Sequence, residues 1–274
     1  MATLCDTLIS PRYIIPVEGS EAWLENHCVV VTGGKIVDVL GSNEASAKYA
    51  PAEEVTLPTH CLMPGLVNTH THSPMTMLRG MADDMPLMEW LTTKIFPAEA
   101  KHVSPEFVAD GTRHAAAEMI RSGTTCFNDM YFYAEVQAEV VAEVGIRENL
   151  GMILLEFPTG YASGPDEYFA KGRALHEKLA TEGWAGDRIS LSWAPHAPYT
   201  VKDSTWLEIK AACEEMGVTL HTHLHETAGE VECSCKLDTA SPLGQFLCHK
   251  SDQRTSPLLN FHRMGLLSPK LIGR

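Results

Sequence analysis

The stretch Pro64-Gly65-Leu66-Val67-Asn68-Thr69-His70-Thr71-His72 decides how this chain is read. The apolar run Cys61-Leu62-Met63 leads into it, a Pro-Gly bend follows, and two histidines one residue apart close it. In an extended strand, residues i and i+2 face the same way. His70 and His72 therefore project side by side from the end of a short buried strand. Two neutral imidazoles so held are half of a metal site. Alone, the pattern more often means two unrelated histidines near a loop, so the rest of the chain has to supply the other half.

The 274 residues are 45% hydrophobic and 20% charged, enough for one large domain or a large domain with a small one attached. A formal charge of −14 repels phosphate backbones and anionic lipid, so neither nucleic acid nor a membrane is an expected partner. The first six residues lack a basic region followed by an apolar core, and no apolar run approaches the roughly 20 residues of a membrane span. The eight cysteines form no CxxC and read as reduced, mostly buried thiols. A cytoplasmic protein is the expectation. Cys233-Ser234-Cys235 is a weaker reading, as a soft-metal pair.

Residues 1–60 look β-rich, with a hairpin turning at Thr32-Gly33-Gly34. After the His-x-His strand, residues 73–100 read as a long loop carrying Met75, Met77, Arg79, Trp90 and Glu99, and a loop of that length is usually a lid or binding segment. A helix–strand unit then repeats. Helices are expected from Ser104 to Gly123, over 134–144, 165–182 and 204–216, the last three ended by Gly145, Gly183 and Gly217. Strands are expected over 124–130, 150–157, 189–194 and 218–223. Alternating helix and strand means a parallel sheet with right-handed crossovers. Chemistry-capable residues close three strands: His70 and His72, then His196, then His223 and Glu226. Sites at the ends of strands far apart in sequence favour a (β/α)8 barrel over an open doubly wound sheet.

In His221-Thr222-His223-Leu224-His225-Glu226 the three histidines alternate onto one face of an ideal strand, with Glu226 just beyond. Other metal and nucleophile signatures are absent. Gly229 stands where HExxH needs its second histidine, and there is no H-x-E with PCxxC, no G-x-S-x-G and no P-loop lysine.

A His-x-His ending one strand, a histidine ending the fifth and an acid three residues later resembles the amidohydrolase superfamily. The branch it looks like is that of 5-methylthioadenosine/S-adenosylhomocysteine deaminases and related triazine hydrolases. The resemblance covers about residues 1–230. It rests on PGLVNTHTHSPMTMLRGMADD, EWLTTKIFPAEA, SGTTCFNDMYF, APHAPYT and HLHETAGEVE. It implies an α/β fold, a metal-dependent (β/α)8 barrel over residues 61–274, with about five strands here, and a small N-terminal β-sandwich subdomain over residues 1–60. It implies that His70, His72 and His223 bind metal and that Glu226 shuttles protons. Glu99 and His196 would contact substrate, Glu99 at ribose hydroxyls. His221 and His225 match no ligand position and are expected to orient ligands or pack. An arginine that some members carry late in strand three is replaced by Met152.

The implied activity is zinc-dependent hydrolytic deamination of a 6-aminopurine nucleoside, with one divalent ion, Zn2+ by default and iron or nickel left open. The alternatives are another amidohydrolase reaction of the triazine or guanine type, an inactive fragment, and a non-enzymatic module with the same fold. The resemblance further implies a histidine after strand six and an aspartate after strand eight. The sequence stops at the start of strand six, and residues 233–254 look inserted, so a truncated product is the expectation. The open sheet edges of such a fold predict homo-oligomers or self-association.

Overall fold

Alternating and β-branched runs build the first part of the chain, and apolar runs separated by amphipathic helices build the second. The structure, a computed structural model, describes residues 2–19, 21–182, 188–236 and 255–274. The chain divides into a first unit ending at Gly65 and a second beginning at Leu66. Among the described residues no helix is long and apolar enough to cross a membrane.

The first unit is a mixed five-stranded sheet of β1 (Thr3–Ile14), β2 (Leu24–Glu25), β3 (His27–Thr32), β4 (Lys35–Gly41) and β5 (Tyr49–Leu62), with a short helix α1 (Ser42–Lys48). The expected hairpin is β3–β4. Gly33 and Gly34 take φ of +60° and +73°, which a two-residue turn between twisted strands requires. β1 pairs antiparallel with β3 and parallel with β5. Cys5, Leu8, Cys28, Val30, Leu40 and Ala45 form this unit's core.

The second unit is a parallel sheet in the order β11-β10-β9-β8-β7-β6. Its strands are β6 (Leu66–Thr71), β7 (Thr124–Tyr131), β8 (Arg147–Leu154), β9 (Ile189–Pro195), β10 (Thr219–Thr222) and β11 (Leu271–Gly273). The short β11 pairs in parallel with β10 and is the start of strand six expected within residues 268–274. Helices α2 (Leu87–Trp90), α3 (Phe96–His102), α4 (Pro105–Arg121), α5 (Ala134–Val144), α6 (Pro165–Glu182), α7 (Asp203–Met216), α8 (Ala228–Lys236) and α9 (Pro257–Met264) connect them.

Four strand steps separate β6 from β10, which in a flat sheet means about 19 Å. Yet His70 Nδ1 and His221 Nε2 are 2.8 Å apart. The sheet therefore curls into a barrel-type arc, its strands converging on one interior. Trp193, Trp206, Tyr168 and Phe261 are fully buried in the main core.

Residues 73–100 are a correction to the expected loop. A 3-10 turn (Ser73–Leu78) follows His72, and α2, a π-helical turn (Leu91–Ile95) and α3 run on without a break. The segment holds strong helix formers, and Leu91 and Ile95 of the π-helical turn are buried. Two other expectations fall outside the described residues: the stop at Gly183 and most of the inserted stretch, including the Cys235 side chain. Residues 233–236 continue α8, and Cys233 packs beside Ala197 and Tyr199. The free thiols include an exposed one, Cys61.

Gly111 of α4 lets that helix meet the turn after His72. A Cβ there would lie 2.6 Å from the Pro74 carbonyl oxygen and 2.7 Å from its Cα. Both are backbone atoms, so the clash is not relieved by a side-chain rotation. Gly111→Ala is expected to lower stability by about 1–3 kcal/mol, as overpacking does. Chemical denaturation of the two proteins checks this, and an unchanged midpoint would show that the turn yields freely.

Candidate active site

His70 and His72 leave the end of β6 on one face, as their spacing requires, and His223 follows the end of β10. One ring nitrogen from each lies within 4.8 Å of the others. His72 Nδ1 donates to the Met130 carbonyl oxygen at 2.6 Å, and His223 Nδ1 donates to the His196 carbonyl oxygen at 2.7 Å. A carbonyl only accepts, so both protons sit on Nδ1 and both Nε2 lone pairs are free. His70 is held through Nδ1 by His221, and its Nε2 is buried with no hydrogen-bond partner. An orphaned imidazole nitrogen beside two free lone pairs fits a divalent cation with nitrogen ligands.

The electrostatics agree. Burial, followed by the neighbouring imidazoles, pushes His70 down to about 2 and His72 to about 4. Burial also lowers His223. All three are held neutral, which is the ligating form.

Asp129 at the end of β7 fixes the turn after these ligands. It accepts the amide and the hydroxyl of Ser73, each at 2.8 Å, and the side-chain amide of Gln137. Burial pushes Asp129 up to about 6. The neighbouring β8 carries Glu148, 1% exposed, with neither carboxyl oxygen hydrogen-bonded. Burial, and after it the charge of Asp129, raises Glu148 well above the carboxylate range.

A cavity of about 380 Å³ opens beside the cluster, within the range of small-molecule sites. His72, His196 and Glu99 are among its polar groups, and Trp90, Phe96 and Phe157 are among its apolar walls. Glu99 accepts the Tyr131 hydroxyl at 2.7 Å, and burial pushes it up to about 7. His196 shares a hydrogen bond with the Thr200 hydroxyl at 3.0 Å, and its ring centroid is 4.9 Å from that of His223. Burial holds it well below the usual histidine value.

Of the residues singled out in the sequence, His70, His72, His223, His196 and Glu99 thus gather around one cluster and cavity. Glu226 does not line the cavity. It sits ahead of α8, where the Tyr199 hydroxyl donates to its Oε2 at 3.0 Å and its charge acts on His72. His221 is fully buried against His70, an orienting contact. His225 leaves the expected alternation, because β10 ends at Thr222 and His225 adopts φ +60°. Its Nε2 accepts the Leu258 amide at the start of α9. Met152 packs outward, its sulfur 3.3 Å from where a Gly172 Cβ would stand on α6, so it does not occupy a cavity position. Sequence reasoning missed Tyr199 and Tyr131, which carry no pattern of their own. It also passed over Thr227-Ala228-Gly229-Glu230, a legible capping-box sequence.

The Amidohydrolase family model matches residues 61–239. A 5-methylthioadenosine/S-adenosylhomocysteine deaminase of Saccharophagus degradans is 42% identical over 232 residues, 85% of this chain and 51% of that protein. One of Aquifex aeolicus is 41% identical over 204 residues, 74% of this chain and 46% of that protein. The chain spans about half the length of these curated relatives. The crystal structure of an adenosine deaminase from Xanthomonas campestris with bound zinc superposes with a TM-score of 0.89 at 44% identity, covering 100% of this chain and 58% of that one. A guanine deaminase from C. acetobutylicum shares the fold at 14% identity and a TM-score of 0.79, over 97% of this chain and 61% of its own.

Two outcomes follow from this geometry. His221→Phe keeps an aromatic ring but removes the contact to His70, and is expected to weaken divalent-metal binding about 10–100-fold. Competition against a coloured chelator measures it, and unchanged affinity would show that His70 needs no such partner. Glu148→Gln removes a proton that the folded protein keeps and the unfolded chain releases above about pH 4.5. Its stability relative to the parent should therefore rise with pH above that value, by about 1.4 kcal/mol per unit of pH until the folded value is reached. Urea unfolding at pH 5 and pH 8 compares the two, and equal differences at both would contradict a neutral Glu148.

Proposed function

The chain belongs to the amidohydrolase family, and from that premise we propose that it acts in the metal-dependent hydrolytic deamination of a 6-aminopurine nucleoside. The substrate class is that of 5-methylthioadenosine and S-adenosylhomocysteine, and the products are the inosine-type nucleoside and ammonia. The observation that carries the reading is the convergence of three neutral imidazoles, His70, His72 and His223, at the wall of an apolar cavity with His196 and Glu99. The names of the relatives at 41–42% identity support the substrate class.

His70, His72 and His223 would hold the cation. When bound, zinc supplies Lewis acidity and an activated water whose pKa falls to about 7. The remaining chemistry belongs to the chain. Glu226 accepts the proton of the attacking water and passes it to the purine ring nitrogen next to C6. His196 contacts the substrate at the reacting end of the cavity. Glu99, held by Tyr131, accepts hydrogen bonds from ribose hydroxyls. The aromatic walls bury the purine and the thioether at the 5′ position, and they keep bulk water from the reacting carbon.

The test is zinc content and ammonia release by the purified chain. One zinc per chain is expected; ammonia formed from methylthioadenosine and S-adenosylhomocysteine ahead of free guanine or triazines carries the deaminase reading, and zinc uptake with no ammonia marks the inactive-fragment alternative. Chelation abolishes the release and added zinc restores it. Glu226→Gln lowers the rate about 10²–10⁴-fold while zinc stays bound. A chain that takes up no zinc, or one that prefers bases without ribose, would overturn the assignment.

A further inference from the structure

Glu226 is held at both ends. Its carboxylate accepts the Tyr199 hydroxyl through Oε2 at 3.0 Å, and its amide donates to Oε2 of Glu230 at 2.7 Å. The two holding residues are 2% and 1% exposed. Among the described residues no hydrogen bond engages Glu226 Oε1.

The Glu230 contact is part of a capping box. Thr227 Oγ1 accepts the Glu230 amide at 3.2 Å, and the Glu230 carboxylate reaches back over the first turn of α8. In the usual box the carboxylate returns to the capping residue's own amide. Here it reaches one residue further, to Glu226. An exposed glutamate would cap α8 as well. Instead Glu230 is buried, its Oε1 has no partner, and burial pushes it up to about 7. The neighbouring His225 takes φ +60°, a conformation that non-glycine residues keep only where surrounding contacts impose it. Here the contact is the Leu258 amide on the His225 ring. Three anchors therefore converge on the turn that carries Glu226, far more than a helix start needs.

We propose that Tyr199 and Glu230 are positioning residues for Glu226. Tyr199 fixes the carboxylate with Oε2 engaged and Oε1 left for proton transfer. Glu230 fixes the backbone from which that side chain projects. Glutamate otherwise samples several rotamers, and proton transfer needs one of them within hydrogen-bond reach. The inference rests on the proton-transfer role proposed for Glu226.

The experiment compares the parent chain with Tyr199→Phe, which removes one hydroxyl and keeps the ring. Glu230→Ala and Glu230→Gln accompany it, the latter keeping an acceptor for the Glu226 amide. Crystal structures should show one Glu226 orientation in the parent and in Glu230→Gln, and more than one in Tyr199→Phe. With zinc loaded, Tyr199→Phe and Glu230→Ala should lose about 10-fold in kcat, with KM within 2-fold and zinc content unchanged. Glu230→Gln should retain most of the rate. A single unchanged Glu226 orientation in Tyr199→Phe overturns the proposal. So does an unchanged kcat, or a loss carried only by KM or by zinc content. If the zinc-loaded parent releases no ammonia, the proposed function fails while the crystal structures still decide the positioning.

Discussion

The carbonyl oxygens of Met130 and His196 accept the Nδ1 protons of His72 and His223. That choice of nitrogen is made by backbone, because the parallel register sets a neighbouring strand's carbonyl abreast of each ring. β6 brings His72 to the end of β7, and β10 brings His223 to the end of β9. A one-residue slip in either pairing would turn the histidine to the other face and leave a different group against its Nδ1. Ligand geometry is therefore a property of the sheet, and side-chain packing has only to preserve it.

The same dependence reaches outward. His70 of β6 reaches His221 of β10 only because the sheet curls. Gly111 allows α4 to touch Pro74, and Asp129 ties Ser73 to the end of β7. Both contacts act on the residues just after His72. The turn that follows the ligands is thus fixed by a helix on one side and a buried carboxyl on the other.

Much of this was legible because strands and helices have different periods. His70 and His72 share a face by the two-residue repeat, and Gly145 and Gly217 mark helix ends where left-handed residues close the last turn. The pairing of His70 with His221 was not legible in that way, since it depends on curvature across four strands. His225 obeyed the alternation in sequence but not in space, because β10 is shorter than its apolar pattern. The helical character of residues 73–100 was hidden by a π-helical turn, whose extra residue breaks the 3.6 repeat. Tyr199 and Tyr131 could not be singled out, because an aromatic residue gives no sign of the partner its hydroxyl will find.

The interior around the ligands suppresses charge of both signs. His70, His72 and His221 are pushed down to about 2, 4 and 3, so the stability they confer is present above about pH 6.5 and is lost as pH falls toward those values. Glu99, Asp129 and Glu230 are pushed up to about 7, 6 and 7, so their contribution is present at low pH and is lost as pH rises through those values. Burial is the leading cause in each case. A site that disfavours protonated imidazoles and ionised carboxyls alike is a poor host for ordinary ion pairs. It would suit one concentrated cation, held by the free imidazole nitrogens of His70, His72 and His223.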